Sequence, residues 1–287
     1  MSMREIAQIV PCEGEELIGI LALPETAVTR LGVLVVVGGP QYRVGSHRQF
    51  VLLARALAGS GVPCMRFDYR GMGDATGDMR DFESVGSDIR AAVDAFHASV
   101  PGLSGVVLWG LCDGATAATF YAASDPRVRA LMLLNPWVKT AAGEARAYLK
   151  HYYLKRLCSR SFWVKLLRGG VALRRSLGEV RGAALKARNR SEEQAITGDE
   201  SPLPDRLRDG LVKAGVPWKV LLSGRDYVAR EFEQVTSSAK WASLAPFDHV
   251  HHIPAADHTF SSAVWRDEVA SATLKWVLGL NATDRAA

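Results

Sequence analysis

Short apolar runs alternate along the chain with segments of helical periodicity. One of them, residues 31–37, is continuous and rich in β-branched side chains, which is typical of a strand buried on both faces of a parallel sheet. Further strands are predicted at residues 62–67, 106–109, 128–134, 216–222 and 247–253, and helices at 47–60, 85–98, 229–239 and 262–278. This alternation predicts an α/β fold, a mostly parallel, doubly wound sheet with helices on both faces.

Two parts of the chain depart from this alternation. Near the N-terminus, residues 5–10 and 16–23 are predicted to form two strands with no helix between them. Later, the alternation stops for about a quarter of the chain and then resumes. We therefore predict an α/β core formed by residues 1–136 and 205–287, interrupted by an insertion at residues 137–204.

The pentapeptide Gly110-Leu111-Cys112-Asp113-Gly114 joins an apolar run, residues 105–109, to a predicted helix that begins at Ala115. Strand, G-x-nucleophile-x-G and helix together are typical of a nucleophile elbow, here with cysteine where serine is usual. Small residues two positions either side avoid collisions in this sharp turn, and the helix N-terminus favours the thiolate. Because 26 glycines produce such patterns by chance, the alternative is a tight turn around a buried, unreactive cysteine.

A cysteine nucleophile needs a base, and the base needs an acid that orients it. In proteins with a nucleophile elbow these partners follow the nucleophile in the order acid, then histidine. Asp226 follows one predicted strand and His258 follows the last, so Cys112, Asp226 and His258 have the order and placement of a catalytic triad. Asp257 competes for the role of the acid. We favour Asp226, because adjacent side chains on a loop rarely orient one another well.

Acyl transfer also needs two donors directed at the developing negative oxygen, the arrangement called an oxyanion hole. One donor is expected from the backbone N–H of Asp113, directly after the nucleophile. The other is expected from the loop after residues 31–37, where Gly39 and Gln41 are the candidates, because Pro40 has no N–H. The alternative for this Gly-Gly-Pro stretch is a simple turn.

Composition and cysteine use narrow the class of protein. Hydrophobic residues make up 48% of the sequence and charged residues 23%, which fits a globular protein with a sizeable core. No apolar run approaches the ~20 residues that span a bilayer, and the N-terminus lacks the apolar segment of a signal peptide. The four cysteines form no C-x-x-C pair. We therefore predict a cytoplasmic protein with no metal site and no cofactor.

Several motifs follow one another in the order of a known family. They are Gly38-Gly39-Pro40, residues 67–74, the elbow, Gly224-Arg225-Asp226 and Asp257-His258-Thr259-Phe260. In this order they resemble the serine-aminopeptidase-like branch of the α/β hydrolases, which implies the α/β-hydrolase fold and hydrolase activity. More narrowly, residues 38–48 and 110–114 are similar to exosortase A system-associated hydrolases of type 1, which are encoded beside exopolysaccharide and exosortase genes. The chain departs from the family in two places, with Cys112 for serine, as in dienelactone hydrolases, and Val37 for the histidine usual before the oxyanion glycine.

The insertion lies where α/β hydrolases carry a cap over the active site, so the resemblance implies a helical cap at residues 137–204. Its basic part, from Lys139 to Arg190, has a net charge of +12, against −7 for the rest of the chain. An apolar helical face is predicted there, formed by Leu149, Tyr153, Leu157, Val164 and Leu167 and flanked by Lys150, Lys155, Lys165 and Arg168.

Two interpretations of this basic segment stay open. It is either a lid whose charges are solvated, or an amphipathic surface that contacts anionic lipid or an anionic carrier-linked substrate. The segment carries no nucleic-acid-binding motif, so we expect no nucleic-acid partner. Trp137, at its start, and His47, near the carboxyl edge of the sheet, are candidates for substrate contact. For His47 the alternative is an ordinary residue at a helix N-terminus.

Together these features predict a hydrolase with a cysteine nucleophile, which cleaves an ester or thioester through an acyl-enzyme on Cys112. The substrate is expected to be a small-molecule or carrier-linked acyl compound, and the protein is expected in the cytoplasm, with peripheral contact at the inner membrane through the cap. Acyl transfer to an alcohol or sugar is an alternative. A catalytically weak binding protein of a polysaccharide-export system is a rival from another class, and the complete triad argues against it.

Overall fold

The computed structural model describes residues 2–39, 41–138, 201–244 and 250–284. The chain divides into two compact units, one formed by Met1–Val138 with Leu207–Ala287 and the other by Lys139–Arg206. Residues 139–200, which contain most of the predicted cap with its apolar face and basic flanks, lie outside the described residues. The sheet and most of the described helices belong to the first unit.

An eight-stranded sheet forms the centre of this unit. In spatial order its strands are β1 (Met3–Cys12), β2 (Glu15–Pro24), β4 (Cys64–Asp68), β3 (Leu31–Val36), β5 (Gly105–Leu111), β6 (Val128–Leu134), β7 (Trp218–Ser223) and β8 (Val250–Ile253). The first two strands form an antiparallel hairpin that pairs antiparallel with β4, and all pairs from β4 to β8 are parallel. The predicted mostly parallel sheet is therefore confirmed.

Helices cover both faces of the sheet, as predicted. They are α1 (Gln49–Gly59), α2 (Gly86–Ser99), α3 (Asp113–Ala122), α4 (Leu203–Ala214), α5 (Tyr227–Thr236) and α6 (Ala263–Asp284). None of the helices that the structure describes is long and apolar enough to cross a membrane.

The positions of Trp109 and Gly32 show how the helices are divided between the faces. Trp109 of β5 packs edge-on against Phe50 of α1 and donates to the hydroxyl of Thr273 in α6 at 3.3 Å. Trp109 is in register with Val35 of β3, three residues from Gly32, so these two positions point to opposite faces. At Gly32 the ring of Phe96 in α2 occupies the space of a side chain. Thus α1 and α6 cover one face and α2 covers the other.

Two of the differences between the predicted and the observed elements have a physical explanation. The predicted first helix begins two residues late, at Gln49, because His47 and Arg48 have positive φ angles of 53° and 60° and form part of a short 3₁₀ turn. The helix α4 was not predicted. It is polar apart from a few apolar side chains, of which only Leu207 and Leu211 are buried, one turn apart.

Candidate active site

Cys112 occupies a sharp turn between β5 and α3, at the carboxyl edge of the sheet. Its φ of 60° and ψ of −127° lie in a region that residues with a side chain rarely adopt. Backbone bonds maintain this conformation, since the Cys112 N–H donates to Leu134 at 2.9 Å and its carbonyl accepts from Ala115 at 3.1 Å and from Trp137 at 3.2 Å. The side chain is partly exposed, as a nucleophile at an elbow must be.

The two glycines of the pentapeptide are required by close backbone contacts. A Cβ on Gly110 would lie 2.5 Å from the backbone of Gly114 and Ala115, and one on Gly114 would lie 2.5 Å from the carbonyl oxygen of Val36. Neither contact can be relieved by rotating a side chain. The expectation that small residues flank the nucleophile for steric reasons therefore has a specific cause at both positions.

His258 and Asp226 approach Cys112 from loops at the same edge of the sheet. Asp226 follows β7 and caps α5, accepting from the N–H groups of Val228 at 3.3 Å and Ala229 at 3.1 Å. Its Oδ2 also lies 2.8 Å from Nδ1 of His258, in the loop after β8. Because the two backbone N–H groups of α5 hold the Asp226 carboxylate in place, the imidazole ring is oriented by a group that is itself fixed.

The electrostatics of His258 link it to both neighbours. Burial alone lowers the pKa of His258, but hydrogen bonds to the Asp226 carboxylate and to the Cys112 side chain raise it to about 10. Since Nδ1 is bonded to Asp226, Nε2 is the nitrogen left for the sulfur. At neutral pH the raised pKa keeps the imidazole protonated between the Asp226 carboxylate and the Cys112 sulfur.

Asp257, the competing acid, makes a different set of bonds. Its carboxylate accepts from the N–H groups of Thr259 at 3.2 Å and Ser261 at 3.0 Å, and also from the Ser261 hydroxyl. Burial raises the pKa of Asp257, these bonds and the charge of His47 lower it, and the net change is a lowering. Asp257 therefore stabilises the turn that carries His258. His47, an exposed residue, lies within electrostatic reach of that turn.

The loop after β3 carries the two predicted backbone donors other than Asp113. Gly39 has a φ of 60°, with open space where a Cβ would be. The side chain of Gln41 accepts from the Ser46 N–H at 3.0 Å and so closes the loop. Farther along, the Arg43 N–H donates at 2.5 Å to Asp68, a fully buried carboxylate that also accepts from the Arg43 guanidinium. The loop is thus tied to the end of β4.

Trp137, the other candidate for substrate contact, is hydrogen-bonded to the elbow and to α3 through both its backbone N–H and its backbone carbonyl. Its N–H donates to the Cys112 carbonyl, and its own carbonyl accepts from the Thr116 hydroxyl at 2.8 Å. The side chain is partly buried. The backbone of Trp137 therefore lies beside the nucleophile, whereas His47 lies within electrostatic reach of Asp257.

Asn135 also belongs to this site, although it was not among the functional residues predicted from the sequence. It is fully buried at the end of β6, with a φ of 42°. Its amide nitrogen donates to the Ser223 hydroxyl at 2.8 Å and to the His258 carbonyl at 3.0 Å, and its amide oxygen accepts from the Ser223 N–H at 2.9 Å. The only signal in the sequence is a polar residue directly after a buried apolar run.

The described residues contain no group of three or more His, Cys, Asp and Glu side chains arranged to hold a metal ion. The polar groups at the sheet edge instead form a linear chain, from Asp226 through His258 to Cys112. Such a chain can generate a nucleophile, orient a proton donor and form a covalent acyl intermediate.

Comparisons with solved structures agree with this fold. An esterase from Pyrococcus furiosus, Pf2001, matches with a TM-score of 0.65 at 14% identity, covering 97% of this chain and 92% of that one. Dienelactone hydrolase from Anabaena variabilis gives 0.61 at 17% identity, with 97% and 99% covered. Proline iminopeptidase from Mycobacterium smegmatis gives 0.60 at 17%, with 97% and 100% covered. These likenesses show the α/β-hydrolase fold, as expected from the sequence.

Sequence comparison assigns the family. No match was found among curated proteins. A family model described as serine aminopeptidase, S33, matches residues 32–238, which include the elbow, β7 and Asp226. Since this match covers most of the chain, the protein belongs to the serine aminopeptidase S33 family of α/β hydrolases.

Proposed function

We propose that the protein hydrolyses carboxylic esters or thioesters through an acyl-enzyme on Cys112. The observation that carries this proposal is the hydrogen-bonded chain from the Asp226 carboxylate through His258 to a cysteine on a strained elbow. Strain of this kind is concentrated at functional sites, and a buried structural cysteine has no need of it. Membership of a hydrolase family and the α/β-hydrolase fold support the same reaction class.

The proposed first half-reaction forms a thioester. The Cys112 thiolate attacks the substrate carbonyl carbon, and the electron pair of the C=O bond moves onto oxygen, where the backbone N–H groups of Asp113 and of Gly39 or Gln41 stabilise it. When the carbonyl re-forms, the bond to the leaving alkoxide or thiolate breaks. His258, protonated at neutral pH, gives its proton to the leaving group, and Asp226 keeps the ring oriented.

The second half-reaction returns the enzyme to its starting state. His258, now neutral, accepts a proton from water, and the resulting hydroxide attacks the acyl carbon. Breaking the C–S bond releases the carboxylic acid and restores the thiolate opposite a protonated imidazole. If an alcohol or a sugar hydroxyl replaces water, the same steps give acyl transfer, so the ratio of the two products depends on which acceptor reaches the acyl-enzyme.

The biological setting is a separate part of the proposal. The resemblance of residues 38–48 and 110–114 to exosortase-associated hydrolases is the support for a role beside exopolysaccharide export. An acyl substituent on a saccharide or on its lipid carrier is the corresponding substrate class.

Turnover of a panel of p-nitrophenyl esters and acyl thioesters tests the reaction class. We expect the wild type to hydrolyse members of the panel and Cys112→Ala to lose this activity, because the sulfur that carries the acyl group is then absent. Cys12→Ala is the matched control, since Cys12 is buried in β1 and should leave turnover unchanged. Equal activity in wild type and Cys112→Ala would rule out the proposed nucleophile.

A further inference from the structure

The side chain of Asp113 has an unusual position beside the nucleophile. Asp113 follows Cys112 directly and is the first residue of α3. Its carboxyl group is packed beneath the loop after β3, because a Cβ on Gly38 would lie 2.4 Å from Asp113 Oδ1. Oδ1 is buried, and it has no hydrogen-bond partner among the described residues. A buried acidic oxygen without a partner is costly when the group carries charge, so the position calls for an explanation.

The backbone N–H groups around this carboxyl include candidate donors of the proposed oxyanion hole. The N–H groups of Gly39, Gly114 and Asp113 itself lie near enough to the Asp113 carboxyl to favour its charged form, although none of them donates a hydrogen bond to Oδ1. Two of them, from Gly39 and Asp113, are candidate donors for the substrate oxyanion. A carboxylate and an oxyanion carry the same charge and attract the same donors, so they compete for this site.

Some surroundings of Asp113 raise the pKa of its carboxyl group and others lower it. Burial raises the pKa of the Asp113 carboxyl, while the three N–H groups and the charge of His258 oppose the rise only in part. Tyr69, at the end of β4, stays neutral, because burial and the nearby carboxylates, Asp113 first among them, raise its pKa. Cys112, the residue before Asp113, is also titratable, and a negative charge on its sulfur would disfavour a second one beside it.

We propose that Asp113 gates the oxyanion site through its own protonation. The neutral carboxyl leaves the N–H groups of Gly39 and Asp113 to the substrate oxygen, and the ionised carboxylate engages them and repels the negative charge that develops there. Asp113 thus acts through the donors and not by bonding to substrate. The inference rests on the proposed acyl transfer at Cys112, whose rate it modulates.

An ordinary structural role makes a different prediction. Acidic residues are common in the first turn of a helix, where they stabilise the helix through its dipole by about 0.3–1 kcal/mol. If that were the whole role of Asp113, its replacement would lower stability slightly. The dependence of the acylation rate on pH would stay the same.

The test compares acylation rates of wild type, Asp113→Asn and Asp113→Ala across pH, using a p-nitrophenyl ester, rapid quenching and intact mass. We expect the ratio of the Asp113→Asn rate to the wild-type rate to be near one at low pH, where Asp113 is neutral. As Asp113 ionises, the ratio should rise to ~10, because the wild type alone gains the opposing charge. Asp113→Ala should behave likewise, which covers the case in which one variant folds poorly.

Each outcome separates the two proposals. Asp94→Asn, an exposed acid on α2, is the matched control and should give a ratio that does not vary with pH. A ratio for both Asp113 variants that is constant with pH, or below one throughout, would overturn the gating role while leaving the acyl-enzyme in place. Absence of any acyl adduct on wild-type Cys112 would instead overturn the proposed function, and the gating role with it.

Discussion

At the scale of single residues, the cysteines of the core differ from one another in ways that affect their reactivity. Cys112 is partly exposed at a helix N-terminus beside His258, which is positively charged at neutral pH. Such surroundings are typical of reactive cysteines. Cys64 is completely buried, and this burial raises its pKa to about 12. Burial also raises the pKa of Cys12. The thiolate is the reactive form, so of the three cysteines that the structure describes only Cys112 has the environment of a nucleophile.

Alkylation with iodoacetamide at neutral pH should therefore label Cys112 well before Cys12 and Cys64. Peptide mapping after short exposures gives the three rates separately. Cys158 lies outside the described residues, so the measurement uses the Cys158→Ser variant. Labelling of Cys112 that is no faster than that of the two buried cysteines in the folded protein would contradict a nucleophile at this position.

The two neighbouring carboxylates, Asp226 and Asp257, should respond differently to removal of charge. Asp226→Asn loses the bond that selects the tautomer of His258, so we expect turnover to fall by a factor on the order of 10² or more. Asp257→Asn keeps that bond and weakens only the turn around Ser261, so it serves as the matched control with a smaller loss. Steady-state kinetics on one ester decides the order, and the reverse order would assign the acid role to Asp257.

At the scale of elements, Asn135 connects the ends of β6 and β7 to the loop that carries His258. It is the only bridge among the described residues that bonds both Ser223 and the backbone of His258. Asparagine suits this position for two reasons. Its amide both donates and accepts hydrogen bonds, and it tolerates positive φ better than most residues. Asn135 therefore holds the backbone of the His258 loop, whereas Asp226 holds the His258 ring.

Replacing Asn135 should affect stability and turnover together. Asn135→Ala leaves the Ser223 N–H and the His258 carbonyl without partners, so we expect the free energy of unfolding to fall by about 3 kcal/mol, with a lower kcat. Asn135→Gly removes the same bonds without backbone strain and should be slightly less destabilised. Ser223→Ala removes only the hydroxyl and should cost about 1 kcal/mol. Urea denaturation measures all three, and equal stability of Asn135→Ala and wild type would contradict this role.

Strands and helices differed in how well their sequences predicted them. The central strands were predicted within a few residues, because side chains buried on both faces produce continuous apolar runs. Helix α4 escaped prediction because two buried leucines in a charged segment give a weak periodic signal. The positive φ angles of His47 and Arg48 were also unpredictable. Arginine does not indicate such a conformation, and histidine, although it adopts positive φ more often than most residues, does so too rarely to predict it at one position.

The candidate site shows a similar division. The order of Cys112, Asp226 and His258 was sufficient to select three residues that the fold brings together, because strand ends of a parallel sheet meet at one edge. The contacts of Asn135 and of the Asp113 side chain could not be predicted in the same way. They depend on the distance between loops in space, and no spacing in the sequence encodes that distance.

At the scale of the whole molecule, the charge is distributed unevenly. The segment from Lys139 to Arg190 carries a net charge of +12, and the remainder carries −7. All of this segment lies outside the described residues, and its charge is known from the sequence alone. We propose that it contacts anionic lipid, since each basic residue near such a surface contributes roughly 1 kcal/mol, in a manner weakened by salt.

Co-sedimentation with vesicles that contain anionic lipid tests this contact. We expect binding at low salt, release as salt rises, and loss of binding when Lys150, Lys155, Lys165 and Arg168 are replaced by Glu. Replacement of four exposed basic residues elsewhere, Arg4, Arg80, Lys213 and Lys275, is the matched control and should reduce binding less. No binding of the wild type at low salt would exclude the contact.

The central claim is that the acyl group passes through Cys112, and a trapped intermediate tests it most directly. Wild-type protein is mixed with a reactive p-nitrophenyl ester, quenched in acid within milliseconds, and analysed by intact mass and peptide mapping. We predict one acyl group, on the peptide that contains Cys112, removed by neutral hydroxylamine as a thioester is, and no adduct in Cys112→Ala. An acyl group on any other residue, or turnover with no adduct on Cys112 under single-turnover conditions, would contradict the claim.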